Sequence, residues 1–184
     1  ADFADETCIE FPRRFENVIV MRTFSKSFSL AGMRIGAAIA RPEIIASFMK
    51  TKDSYNMNAF AQVAGLAALE DYEYMEANTA KIRASRERLR ENLIALGFEV
   101  PHSQSNFLLA HCRDVKLGKK KSGKVLQPSD IGKTNAEILF EALRDKGILV
   151  RYFGCRRLEN ALRITVGTDK DCDALTAALR VLLA

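Results

Sequence analysis

Residues 18–40 read Val18-Ile-Val-Met-Arg22-Thr23-Phe-Ser25-Lys26-Ser-Phe-Ser-Leu-Ala-Gly32-Met-Arg34-Ile35-Gly36-Ala-Ala-Ile-Ala40. Two short apolar runs are held apart by a polar turn. Val18 to Arg22 is β-branched and apolar, which predicts a strand buried in an α/β sheet. Ile35 to Ala40, made of small residues, predicts a second buried strand. The turn between them is rich in hydroxyls, ends in two glycines and carries Lys26 and Arg34.

Downstream, Pro42 suits the first position of a helix, and Ile44, Ile45, Phe48 and Met49 recur behind it at helical spacing. Tyr55-Asn-Met-Asn58 interrupts this pattern, and a helix of small residues is expected from about Ala59 to Leu69. From Asp71 to Leu96 the residues Met75, Ile82, Leu89, Leu93 and Leu96 form one stripe, and Gly97 supplies a left-handed stop. So long a charged helix connects two domains as readily as it packs on one. Strands are then expected at 98–100, 106–112, 148–152 and 162–166, with helices at 135–146 and 169–183. Thr168 with Asp171 forms a start like a capping box, with Asp in place of Glu or Gln. The composition changes near residue 72, from an α/β segment (1–72) to an α+β segment (73–184).

The 184 residues are 48% hydrophobic and 28% charged, which suits a globular chain with a sizeable core and excludes a disordered one. No apolar run is long enough to cross a bilayer, so no membrane partner is expected. The acidic opening, Ala-Asp-Phe-Ala-Asp-Glu, is unlike a secretory leader and reads like the interior of a longer chain. Four cysteines, Cys8, Cys112, Cys155 and Cys172, lie far apart, and only His102 and His111 accompany them. No metal site is expected from that spacing, and unpaired thiols suit a reducing cytoplasm. Much of the formal charge of +5 lies in Lys116-Leu-Gly-Lys119-Lys120-Lys121-Ser-Gly-Lys124. That stretch lacks interleaved aromatics, so it reads as a solvated loop and no nucleic acid partner is expected.

A lysine in a tight turn after a buried strand has limited access to water. An amine held from water beside other cations is more easily neutral, and the neutral form attacks an aldehyde. Thr23 and Ser25 bring hydroxyls, and Arg34 brings paired donors suited to phosphate. Taken alone, Ser25-Lys26 is a weak signal, because a lysine exposed on a loop is the commoner case. Farther on, strand alternation puts Leu162, Ile164 and Val166 on one face and Arg163 and Thr165 on the other. An arginine there needs a carboxylate ligand, a structural salt bridge or water. Arg151, among Val150, Tyr152 and Phe153, is either a ligand or an edge residue reaching solvent.

The run Arg22–Gly36 resembles the pyridoxal phosphate lysine motif of fold-type I aminotransferases, in the form found in histidinol-phosphate aminotransferases. The resemblance continues through Tyr55-Asn-Met-Asn-Ala-Phe-Ala-Gln62, Ser103-Gln-Ser-Asn-Phe-Leu108, Gly147-Ile-Leu-Val-Arg151-Tyr-Phe and Leu162-Arg163-Ile-Thr-Val-Gly-Thr168. It covers nearly the whole chain and is weakest over 114–133. It implies the C-terminal part of the large domain, a mixed sheet with helices, over 1–72. A small α+β domain with its connecting helix follows over 73–184. Lys26 would be the catalytic lysine that bears the cofactor and later moves a proton. Ser25 and Arg34, with Thr23 nearby, would bind the cofactor phosphate. Arg163 would pair with the amino acid's α-carboxylate and Arg151 with the substrate phosphate.

The activity so implied is amino transfer between glutamate/2-oxoglutarate and histidinol phosphate/imidazole acetol phosphate, a step of histidine biosynthesis. It would be carried out in the cytoplasm by a homodimer of the full-length parent on small-molecule substrates. Aromatic aminotransferases and a threonine-phosphate decarboxylase stay open, because Arg151 is a single-residue discriminator. One departure matters. The family's Asp-Glu-Ala-Tyr segment, counted back from Lys26, falls just before Ala1, and Asp2-Phe3 matches the residues on its C-terminal side. The family's glycine-rich phosphate turn, ring-stacking aromatic and pyridine-side Asn belong farther upstream. The 184-residue chain by itself is therefore expected to be an inactive part of the enzyme, or a non-catalytic module.

Overall fold

The computed structural model describes residues 2–117 and 132–184. The lysine-rich stretch lies outside the described residues except at Lys116 and Leu117. Two compact units divide the chain, Ala1–Lys81 and Ile82–Ala184.

The first unit contains α1 (Phe11–Arg14), β1 (Val20–Thr23), a short 3₁₀ turn (Ala31–Met33), β2 (Gly36–Ile39), α2 (Pro42–Thr51) and α3 (Ala59–Glu70). It also holds the first part of α4 (Tyr72–Ala95), so the division falls within that helix. Neither α1 nor the 3₁₀ turn is anticipated by periodicity, since both are too short to show a repeat. Pro42 stands in the first turn of α2 as expected, and the Asn58 side chain caps α3 by accepting from the Ala61 amide at 2.8 Å. Gly65 of α3 sits close against Ile35, where an added Cβ would lie 3.2 Å from the isoleucine Cδ1.

β1 and β2 pair antiparallel, with Val20 opposite Ile39 and Thr23 opposite Gly36. The expectation of two strands buried in a sheet is corrected here. The described strands pair only with each other, and residues such as Met21, Ala37 and Ala38 stay exposed. A two-stranded ribbon leaves its outer edges and much of both faces without neighbours.

The second unit is an antiparallel sheet of β3 (Phe107–His111), β5 (Ala161–Thr165) and β4 (Arg151–Tyr152), in that order. The rest of α4, α5 (Asn135–Asp145) and α6 (Asp169–Leu183) accompany it. Leu89 and Leu93 from α4 join Leu108, Leu139, Leu143, Leu162, Leu175 and Leu179 in one buried cluster, so the stripe read along α4 does point inward. At the start of α6, Thr168 and Asp171 form the expected reciprocal capping box.

Two expected strands shrink, each because a backbone group is already used. Over 98–100 only Glu99 pairs, with His111. The Val100 carbonyl accepts from the Arg90 Nε at 3.1 Å, and Pro101 has no N–H with which to continue a ladder. At 148–152 only Arg151 and Tyr152 pair. Gly147, with φ +76°, ends α5 in a turn that takes the Ile148 N–H to the Leu143 carbonyl at 2.9 Å.

Candidate functional site

The six residues singled out above fall into two groups, one in each unit. In the first unit, the β1–β2 turn is built by local bonds. The Phe24 N–H donates to the Ile35 carbonyl at 3.2 Å, Leu30 to Phe24 at 3.0 Å, and Ser29, with φ +58°, to Lys26 at 3.0 Å. Phe24 and Phe28 stack with ring centres 4.7 Å apart. Thr23 closes the strand, and its hydroxyl accepts from the Ser25 amide at 3.1 Å. Gly36 faces it, and a Cβ there would come within 3.1 Å of the Arg22 carbonyl.

Lys26 is exposed at the crest of this turn, so its amine is not withheld from water within this chain as the sequence had suggested. Among the described residues that amine has neither an ion pair nor a hydrogen-bond partner. Arg34 adopts a left-handed backbone, φ +57°, and donates to the Ala31 carbonyl at 2.8 Å, which directs its guanidinium along the turn. Two hydroxyls, a guanidinium and a free amine make a donor set that fits a phosphate ester beside an aldehyde.

Sequence reading overlooked a residue beneath this turn. The Asp2 carboxylate accepts from the Arg22 guanidinium through one oxygen and from the Ser27 hydroxyl through the other. Its partners stand 20 and 25 residues away, a separation no local pattern reveals.

In the second unit, Arg151 and Arg163 are direct cross-strand partners on β4 and β5. Leu162 and Ile164 are buried, as strand alternation requires. Arg163 therefore projects to the opposite face with Arg151, and both guanidiniums lie over Phe153, at 5.2 Å (Arg151) and 5.6 Å (Arg163) from the ring centre. Arg163 also lies 5.4 Å from the Phe107 ring centre. Its Nε is buried without a hydrogen-bond partner. Among the described residues neither arginine has a carboxylate partner, which removes the structural salt bridge from the readings open for Arg163. Like charges directly opposite in a sheet repel, and aromatic faces offset only part of that cost. The pair is therefore suited to an anion with at least two oxygens.

Phe153 and Phe107 escaped the sequence reading; Phe153, two residues after Arg151, offered a signal, whereas Phe107 reaches Arg163 only through strand pairing. Buried Arg86 escaped it too. It falls on the α4 stripe between Ile82 and Leu89 and donates to the Ser105 carbonyl at 3.1 Å. That bond holds the turn leading into Phe107. An arginine at an apolar position of a stripe was the available clue.

The family model for class I and II aminotransferases matches residues 2–179. Histidinol-phosphate aminotransferase 1 of Nostoc sp. is 44% identical over 182 residues, 99% of this chain and 46% of that protein. The Geotalea daltonii histidinol-phosphate aminotransferase is 40% identical, over 97% of this chain and 46% of its own length. Among solved structures, the Sinorhizobium meliloti histidinol-phosphate aminotransferase in complex with pyridoxal-5′-phosphate superposes with a TM-score of 0.79 at 31% identity. That match covers 99% of this chain and 46% of the other. The chain spans about half the length of the curated relatives it matches.

Proposed function

The chain belongs to the class I and II aminotransferases and has their mixed α/β fold, and on that premise we propose that it is part of a histidinol-phosphate aminotransferase. The proposed reaction moves an amino group between glutamate/2-oxoglutarate and histidinol phosphate/imidazole acetol phosphate, with pyridoxal phosphate as cofactor. On this reading 1–72 is the C-terminal part of the cofactor-binding domain and 73–184 the small domain. The parent is a cytoplasmic homodimer, and the 184-residue chain does not turn over by itself.

When bound, the cofactor supplies an electron sink for negative charge at the substrate carbon. Lys26 would hold it through its amine, and the same amine, when free, would carry the proton. Ser25 and Arg34, with Thr23 nearby, would bind its phosphate by charge-assisted hydrogen bonds. Arg163 would orient the α-carboxylate of an amino acid. Histidinol phosphate carries a phosphate ester instead, and Arg151 beside Arg163 would supply the second guanidinium that a dianion uses.

The observation that carries this reading is the Arg151–Arg163 cross-strand pair over Phe153, with no carboxylate partner among the described residues. Its test is Arg151→Ala in the full-length parent, with kcat/KM measured for each half-reaction. Loss of a desolvated guanidinium–phosphate pair costs on the order of a few kcal/mol, roughly 100-fold, for the phosphorylated substrate. For glutamate the expected loss is under about ten-fold, since Arg163 remains for its α-carboxylate. Equal losses would make Arg151 a shared contact and remove the phosphate from its role.

A further inference from the structure

Lys26 is exposed, yet the backbone that carries it is tied from behind. Arg22, on β1, and Ser27, the residue after the lysine, both bond to the one carboxylate of Asp2. The Asp2 side chain is 12% exposed and that of Arg22 28%. Ser27 is 6% exposed as a whole residue. The bridge thus spans the segment 22–27, with Lys26 inside it, and holds both ends to a part of the chain far away in sequence. Phe3, next to Asp2, is buried and anchors that part in turn. A charge-assisted hydrogen bond out of bulk water is stronger and stiffer than a neutral one. Two on one carboxylate fix a position and an angle, which is what a nucleophilic amine on a flexible stem requires.

We propose that Asp2 is a positioning residue for Lys26, acting through Arg22 and Ser27 to present the lysine amine to an aldehyde-bearing phosphate ester. The bridge leaves the amine itself free and restricts the direction from which the side chain departs. The inference rests on Lys26 being the cofactor-bearing lysine.

The test uses the full-length parent stripped of cofactor, with pyridoxal phosphate as probe. The protein is mixed with the probe, quenched with borohydride at set times, and mapped by peptide mass spectrometry to follow label on Lys26. Asp2→Asn keeps the shape and removes the charge. It should slow labelling of Lys26 by roughly ten-fold or more, the effect of losing a hydrogen bond to a charged group. Asp2→Glu should restore part of the rate.

A control carboxylate separates positioning from general stability. Asp169 accepts from Ser85 at 2.7 Å and from Arg88 at 2.7 Å, the same kinds of partner. Asp169→Asn should lower the melting temperature without slowing the labelling. If Asp2→Asn does not fold, Ser27→Ala decides instead, since it removes one of the two bonds and should slow labelling in the same direction. A folded Asp2→Asn, or in its place Ser27→Ala, that labels Lys26 within two-fold of the unaltered rate would overturn the proposal and leave the Lys26 assignment standing. Label on another lysine of the unaltered protein would overturn both.

Discussion

In the second unit, leucines from α4, β3, α5, β5 and α6 close over one another until few large apolar side chains are left outside. The first unit has elements just as regular, but Met21 is 79%, Val63 71% and Phe60 84% exposed. Asn58 caps α3 and the two strands are in register, yet these apolar side chains lie uncovered among the described residues. Local rules of capping, turn chemistry and periodicity therefore suffice to form elements, whereas burial depends on what else is present. The lysine turn belongs to the less covered unit and the paired arginines to the closed one.

The contrast is easiest to break with thiols. Cys8, in the first unit, is exposed, whereas burial pushes the Cys112 thiol of the second up to about 12. Only the thiolate reacts, so near pH 8 an alkylating reagent should modify Cys112 roughly 1,000-fold more slowly than Cys8 in the folded chain. Comparable rates, followed by mass spectrometry, would mean that the second unit opens often enough to expose Cys112.

Core truncation measures the same difference in free energy. Leu108→Ala removes a fully buried side chain and should cost about 3 kcal/mol or more in urea unfolding. Phe60→Ala should cost under about 0.5 kcal/mol in this chain, because the ring is exposed. If the phenylalanine change costs as much as the leucine change, the first unit has a core of its own.

The smallest effect concerns acid. Asp169 is held below the usual carboxylate range chiefly by the Ser85 hydroxyl and then by Arg88, and Asp171 by Thr168. A carboxyl depressed on folding stabilises the fold above its unfolded pKa, and that contribution disappears as the pH falls through the folded value. From about pH 4 downward the second unit should therefore lose stability, and Asp171→Asn should flatten this decline slightly. An unchanged slope would show that the cap tolerates protonation.

Where a feature depends on neighbours in sequence, it was legible. Thr168 and Asp171 announced the start of α6, Gly97 the end of α4, and alternation around Leu162 and Ile164 the side to which Arg163 points. The lysine turn was legible through its motif. Elsewhere a distant partner decides. The Val100 carbonyl is taken by Arg90, which shortens an expected strand, and Asp2 finds Arg22 and Ser27 only after the chain has folded back. Phe153 shows the same limit. Its place beside Arg151 is visible in sequence, but its second arginine arrives from another strand.

The two guanidiniums over Phe153 also act beyond the reach of hydrogen bonds. A concentrated, unneutralised positive field draws anions from a distance on the order of the Debye length, about 8 Å in physiological salt. Dianions gain more from such steering than monoanions, so their association rate should fall more steeply as salt is added. Sulfate and inorganic phosphate would compete in the same field before either touched the protein. On the proposed reading the pair would act as a kinetic filter on approaching anions as well as a place for them to rest.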